Sequence, residues 1–231
     1  MAKHGKKYTQ AAEKLTQGAT LSVNEALQKI KDLAFAKFDE TVDLDVNLGI
    51  DPSKGEQVVR GSVVLPYGRG KAVKVLVFAK GDYADQAEKA GADYVGAEDL
   101  VKKIQDGWMD FNYAVATPDL MGLVGKVAKI LGPRGLLPNK KLGTVTFDVG
   151  KVVTDLKKGQ MFFRNDKSGI VHFPIGKISF DVNKLSDNLH AFVKALVAAK
   201  PAAAKGKFLK KMTLSSTMGI GIQINPDELM R

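Results

Sequence analysis

The sequence predicts a discontinuous two-domain protein: an antiparallel α+β first domain built from both ends of the chain, with a Rossmann-like α/β second domain inserted between them. Three observations predict it. Residues 42–50 alternate apolar and polar side chains, the period of a half-buried strand. From Gly68 onward, near-continuous apolar stretches alternate with helical ones, as in a parallel sheet covered on both faces. After Gly159 the first style returns. Each terminal segment offers few strands and one good helix, so neither completes a core alone. The economical solution pairs 1–67 with 160–231 and leaves 68–159 as the insert. The two chain crossings, Leu65-Pro66 and Lys158-Gly159, then form a hinge.

Taken in order, Ser22–Phe35 is amphipathic, with Val23, Ala26, Leu27, Ile30, Leu33 and Ala34 on one stripe. Ser22 followed by Glu25 reads as a capping box. Val42, Leu44, Val46, Leu48 and Ile50 alternate with Asp43, Asp45, Asn47 and Gly49, and a turn-rich DPSKGEQ leads to a strand over Val58–Leu65. The insert begins at Pro66-Tyr67-Gly68-Arg69-Gly70. It continues as strand 73–78, helix 82–90, strand 92–95, helix 97–105 and strand 113–117. A long amphipathic helix is expected over Asp119–Leu131, stopped by Gly132-Pro133. Strands 160–164 and 170–173 flank Asn165-Asp166-Lys167-Ser168-Gly169 as a hairpin. Asp181–Ala199 is a helix, 200–206 an exposed loop, and Met212–Ile224 a closing strand with Gly219 and Gly221 inside it.

Composition narrows the function. The 231 residues are 45% apolar, enough for a full core, and carry a net charge of +10. That charge rises along the chain: residues 1–67 are neutral, 68–160 net +4 and 161–231 net +6. A basic protein of this kind favours a polyanion, with most long-range attraction coming from the C-terminal third. Cysteine is absent, which removes disulfides, thiolate nucleophiles and cysteine metal sites. The histidines are only His4, His172 and His190, too few for an all-histidine zinc site, and no metal or other cofactor is expected. No apolar run reaches the roughly 20 residues that span a bilayer. The basic start lacks the apolar core of a secretory signal, so the expected location is the cytosol.

Enzyme motifs find no match. Gly122, Gly125 and Lys126 lack the spacing and hydroxyl of a P-loop, and no G-x-S-x-G, H-E-x-x-H or G-x-G-x-x-G occurs. Asp43 and Asp45 read as a solvated strand face, and His190 as a packed, hydrogen-bonded histidine. A small α/β nucleotide-binding enzyme is the rival from another class; a membrane-surface role fails because the 181–199 helix is too neutral. Nucleic-acid readings fare better. Gly132-Pro133-Arg134-Gly135 has the G-x-x-G spacing of a backbone clamp, but Pro138 opposes the helix such a clamp needs. A turn exposing Arg134, Lys140 and Lys141 is the weaker candidate. Lys37-Phe38-Asp39-Glu40-Thr41 sets a cation and an aromatic beside acceptors. Ser215-Ser216-Thr217-Met218-Gly219 offers hydroxyls for 2′-OH groups and a bare backbone for close approach. A core phenylalanine and a threonine-rich edge strand are the plain alternatives.

Four segments, KFDETV at Lys37–Val42, LGPRGLLPNKKLGTV at Leu131–Val145, FRNDKSGIVHFPIGK at Phe163–Lys177 and SSTMGIGI at Ser215–Ile222, resemble the universal L-one family of large-subunit ribosomal proteins in its bacterial form. The resemblance covers essentially the whole chain. It departs at Leu137, where the family has Met, and at Lys140, where it has Pro. It implies the discontinuous architecture above and a protein that binds large-subunit rRNA, forms the mobile lateral stalk near the tRNA exit site and assists release of deacylated tRNA. It also implies translational repression through the leader of the protein's own operon mRNA. DNA and membranes are not implied as partners, and the free protein is expected to be a monomer in the cytoplasm or on the ribosome. Carried onto this sequence, the rRNA and mRNA surface is Lys37, Phe38, Glu40, Arg164, Asp166, Lys167, His172, Ser216, Thr217, Met218 and Gly219.

Overall fold

The computed structural model describes residues 5–15 and 20–229; His4 lies outside them. The chain opens with helix α1 (Lys6–Glu13) and the short strand β1 (Thr20–Leu21). Ser22 then caps α2 (Val23–Leu33): its hydroxyl accepts from the Glu25 N–H while the Glu25 carboxylate accepts from the Ser22 N–H. Strand β2 (Thr41–Leu48) buries every second residue, Val42, Leu44, Val46 and Leu48, and β3 (Arg60–Val64) follows.

Next come β4 (Val75–Phe78), α3 (Asp82–Lys89), β5 (Tyr94–Gly96), α4 (Glu98–Gln105) and β6 (Tyr113–Ala116). The single helix expected over Asp119–Leu131 is instead broken into α5 (Met121–Val124) and α6 (Ala128–Leu131), with tighter 3₁₀ turns before and between them. Gly122 and Gly125 weaken the helical backbone there. The apolar periodicity is nevertheless honoured, since Leu120, Val124, Val127 and Leu131 are all buried. Helix α7 (Val149–Lys158) was not expected at all; its β-branched valines disguise a buried Val149, Val153, Leu156 stripe, and Gly159 ends it at φ 110°.

The chain finishes with β7 (Gln160–Arg164), β8 (Ile170–Lys177), α8 (Val182–Ala198), β9 (Leu209–Ser216) and β10 (Ile222–Ile224). Three expectations need correction here. β7 and β8 share only a bridge at Asn165 and Val171; β7 pairs with β3, so the 165–169 turn redirects the chain between sheets rather than closing a hairpin ladder. The closing strand is in fact two, β9 and β10, which fold back on each other around Thr217–Gly221 with Ile222 opposite Leu214. His190 is also not packed: it sits on the outer side of α8, exposed, while Leu185, Leu189, Phe192 and Leu196 face inward.

Residues 1–70 with 161–231 form one compact unit and 71–160 another. In the first, the sheet order is β1-β10-β9-β2-β8, antiparallel except for the parallel β1–β10 pair. Its core joins both ends of the chain: Leu27 and Leu44 meet Phe173, Leu189 and Phe192 in one apolar cluster. Asn188, fully buried, donates to the Gly68 and Ile175 carbonyls and accepts from the Tyr67 N–H. That bond set holds residues 67–68 to the first unit, which runs to Gly70 and resumes at Met161. In the other unit, β4 lies between β5 and β6 in a three-stranded parallel sheet, buried along its whole length. The Lys157 ammonium reaches Asp93 at 2.6 Å and the Val73 carbonyl at 2.9 Å, fastening α7 to that sheet. Burial opposes ionisation of Asp93, but Lys157 and the Val75 N–H prevail and hold its carboxyl below the usual range.

Candidate nucleic-acid interface

The turn between α2 and β2 and the turn between β9 and β10 meet at one end of the first unit's sheet, and a buried carboxylate joins them. Glu40 is 1% exposed; one of its oxygens accepts from the Ala36 N–H (3.1 Å) and the other from the Met218 N–H (2.9 Å). Thr217 completes the seam, its hydroxyl accepting from the Thr41 N–H at 3.0 Å and its own N–H donating to the Thr41 carbonyl at 3.1 Å. A third tie comes from the end of β8: Asp39 accepts from the Ser179 N–H and hydroxyl, and the Lys177 ammonium reaches the Asp39 carbonyl and the Thr41 hydroxyl. Gly219 is required for closeness, since a Cβ there would lie 2.3 Å from the Ser216 hydroxyl oxygen.

The product is a corner whose backbone is fixed on three sides and whose apolar side chains face water. Phe38 is 56% and Met218 52% exposed, while Ser216 is buried. Glu40 therefore does not present acceptors to a ligand. It positions Lys37, Phe38 and Met218, which do face out.

Arg164, Asp166 and Lys167 lie elsewhere. The Leu48 N–H donates to the Gly169 carbonyl, which places their turn at the opposite end of β2, about 24 Å from Thr41 at some 3.4 Å per residue. One Asp166 oxygen accepts from the Ser168 and Ile170 N–H groups, both at 2.8 Å, and these bonds, the Ile170 one foremost, hold its carboxyl below the usual range. His172 stands between the two groups, opposite Asp45, with its Nδ1 2.6 Å from an Asp45 oxygen and its Nε2 3.8 Å from Asp166. Sequence reading put eleven residues on one surface. The structure resolves them into a pinned corner and a charged turn at the two ends of one polar sheet face.

Acidic groups occupy the middle of that face. Burial, and then the neighbouring Asp45 carboxylate, push the Asp43 carboxyl above the usual range, against the pull of Lys177 and His172. Because the folded chain holds that proton more tightly than the unfolded one, the stability Asp43 contributes is present at acid pH and lost as pH rises through its raised value. Asp43→Asn is accordingly expected to raise stability at pH 7, by less than about 1 kcal/mol for a partly solvated charge, and to leave it unchanged near pH 3. Thermal melts at the two pH values check this.

In the second unit, Arg134, Lys140 and Lys141 are exposed on turns that follow α6. The Asn139 side chain accepts from the Lys141 N–H at 2.8 Å, and Thr144 accepts from the Asn139 N–H at 2.7 Å, which shapes the lysine turn. Residues 120–147 contain Lys126, Lys129, Arg134, Lys140 and Lys141 and no Asp or Glu. Gly132–Gly135 is a plain turn with no helix after it, so it does not build a G-x-x-G clamp. Among the described residues no group of carboxylates and histidines could hold a metal, and no helix is long and apolar enough to cross a membrane.

The sequence model of the ribosomal protein L1p/L10e family matches residues 28–220. The chain belongs to that family. Membership makes it a protein of the large ribosomal subunit, structural rather than enzymatic, and places it on the ribosome. The matched segment contains the corner, the 165–169 turn and the basic stretch of the second unit, and begins after α1. Of the four residues that hold the corner together, sequence reading quoted Asp39 and Thr41 as acceptors beside Lys37 and Phe38, and gave no role to Lys177 or Ser179. Three of the four lie within the KFDETV and FRNDKSGIVHFPIGK segments, and their signal was polarity at strand ends, where backbone groups need partners.

Proposed function

We propose that the chain binds large-subunit rRNA through the corner formed by Lys37, Phe38, Thr217, Met218 and Gly219, as part of the mobile lateral stalk near the tRNA exit site. The observation that carries this reading is the pair of exposed apolar side chains on a backbone that Glu40 pins from below. Such a surface suits a folded RNA read by shape and by its 2′-OH groups. Arg164, Lys167 and the cations around them attract phosphates at the far end, while Asp43 and Asp45 keep phosphates off the middle. The leader of the chain's own operon mRNA uses the same corner, so binding there represses translation and rRNA competes it away. Arg134, Lys140 and Lys141 make a secondary contact with RNA, and the second unit helps deacylated tRNA leave. The crossings at Leu65-Pro66 and Lys158-Gly159 act as the joint; Leu65 itself is fully buried in the first unit's core, so bending starts beyond it.

Thr217→Val tests the corner. Removing a hydroxyl whose RNA partner is desolvated is expected to cost about 1–3 kcal/mol of binding to an rRNA fragment. The same change also removes the acceptor of the Thr41 N–H, so a thermal melt run alongside separates loss of fold from loss of affinity. Unchanged rRNA affinity, or an rRNA and leader that bind together in one ternary complex, would refute the reading.

A further inference from the structure

Beside the corner lies a groove of about 420 Å³, lined by Gly5, Lys6, Lys7, Tyr8, Phe35 and Met218. Its walls are built rather than incidental. Phe35 precedes Ala36, whose N–H is fixed by one Glu40 oxygen, and the Met218 N–H is fixed by the other. The opposite wall is the first turn of α1. That helix buries only Ala11, so it adds little to the core; what it adds at this place is two exposed lysines. Among the described residues no carboxylate lines the groove. The volume falls in the range of about 300–1,000 Å³ typical of small-ligand sites, too small for a helix of RNA. An apolar and aromatic lining beside paired cations matches how unstacked nucleotides are held, base on a flat or polarisable surface and phosphate on lysine.

We propose that this groove holds one unstacked nucleotide of bound RNA, its base against Phe35, Tyr8 and Met218 and its phosphate on Lys6 and Lys7. The site rests on the RNA-binding reading above and extends it, for Gly5–Tyr8 precede the segment that matches the family. Charge selects the occupant: an RNA strand already seated on the corner brings its phosphates to the two lysines at no further cost in association.

Two measurements on the full chain test it, both with large-subunit rRNA transcribed from the source organism. Ultraviolet irradiation of the complex, followed by trypsin and mass spectrometry, is expected to leave a nucleotide adduct on the Tyr8–Lys14 peptide. Filter-binding titrations of the Lys6→Ala/Lys7→Ala double variant are expected to show affinity weaker on the order of tenfold. The slope of log affinity against log salt should fall by about 0.7, the loss of one single-strand phosphate contact. Its melting temperature should match the parent's, because both side chains are exposed. An unadducted peptide together with unchanged affinity and slope overturns the groove alone. A parent chain that fails to prefer its rRNA over unrelated duplex overturns the RNA-binding reading and the groove with it.

Discussion

Glu40→Ala is expected to be the most damaging single change to RNA binding that touches no RNA. The carboxylate is buried and serves two backbone donors on different turns, Ala36 and Met218. Hydrogen bonds to a charged acceptor contribute about 1.5–3 kcal/mol, and water reaches these partly buried donors to some extent, so a loss of about 2–3 kcal/mol of stability is expected. Affinity for rRNA should fall at least about tenfold more than the unfolded fraction explains, because Phe38 and Met218 lose their fixed spacing. Glu40→Gln separates the two effects. One amide oxygen can still accept, but the NH₂ group faces the other N–H, so stability is partly restored while the geometry of one turn is not. Urea melts and filter binding at a temperature where the variants remain folded check both parts.

Phe192→Ala is expected to cost about 3–5 kcal/mol, the largest loss of stability from any substitution considered for this chain. Its ring lies stacked on Phe173 at 4.0 Å between centroids and edge-on to Phe163 at 5.5 Å, at the centre of the cluster that also takes Leu27 and Leu44 from the N-terminal segment. An aromatic at that point has packing partners on every side, so its removal leaves a cavity that the surrounding strands cannot close. If the two chain ends shared no core, the effect would stay within the C-terminal segment, and hydrogen exchange of β2 amides would be unaffected. Faster exchange in β2 is the expected outcome.

How legible the molecule was in its sequence depended on whether the signal was local. The 42–50 alternation, the apolar 73–78 run and the Ser22–Glu25 capping box are each written within one element; the cap appears as read, and the two strands appear shortened to Thr41–Leu48 and Val75–Phe78. Reversal at Thr217–Gly221 was not legible, because Met218 and Ile220 continue an apolar rhythm where a turn would ordinarily show Asn-Gly or Asp-Gly. Helix α7 was hidden by its valines, and the 119–131 helix was overstated because periodicity reports the buried face without reporting backbone continuity. For the site, resemblance named residues but not what their side chains bond to. Glu40 looked like an acceptor for RNA beside Phe38, yet one of its two partners is a backbone N–H 178 positions away, a distance no sequence pattern spans. Asp166 and Met218, which the resemblance sets on one surface, have the length of β2 between their turns.

On the proposed reading, the pinned corner discriminates the RNA while dispersed cations only hold it. The most direct measurement is the ratio of affinities for a cognate rRNA fragment and an unrelated duplex of equal length, taken across a salt series. Three proteins are compared: the parent, Phe38→Ala/Met218→Ala, and Lys140→Ala/Lys141→Ala. The apolar double variant should lose most of the ratio with its salt slope unchanged, whereas the lysine double variant should lose affinity for both ligands and keep the ratio. A lysine variant that abolishes the ratio, beside an apolar variant that preserves it, would contradict the account.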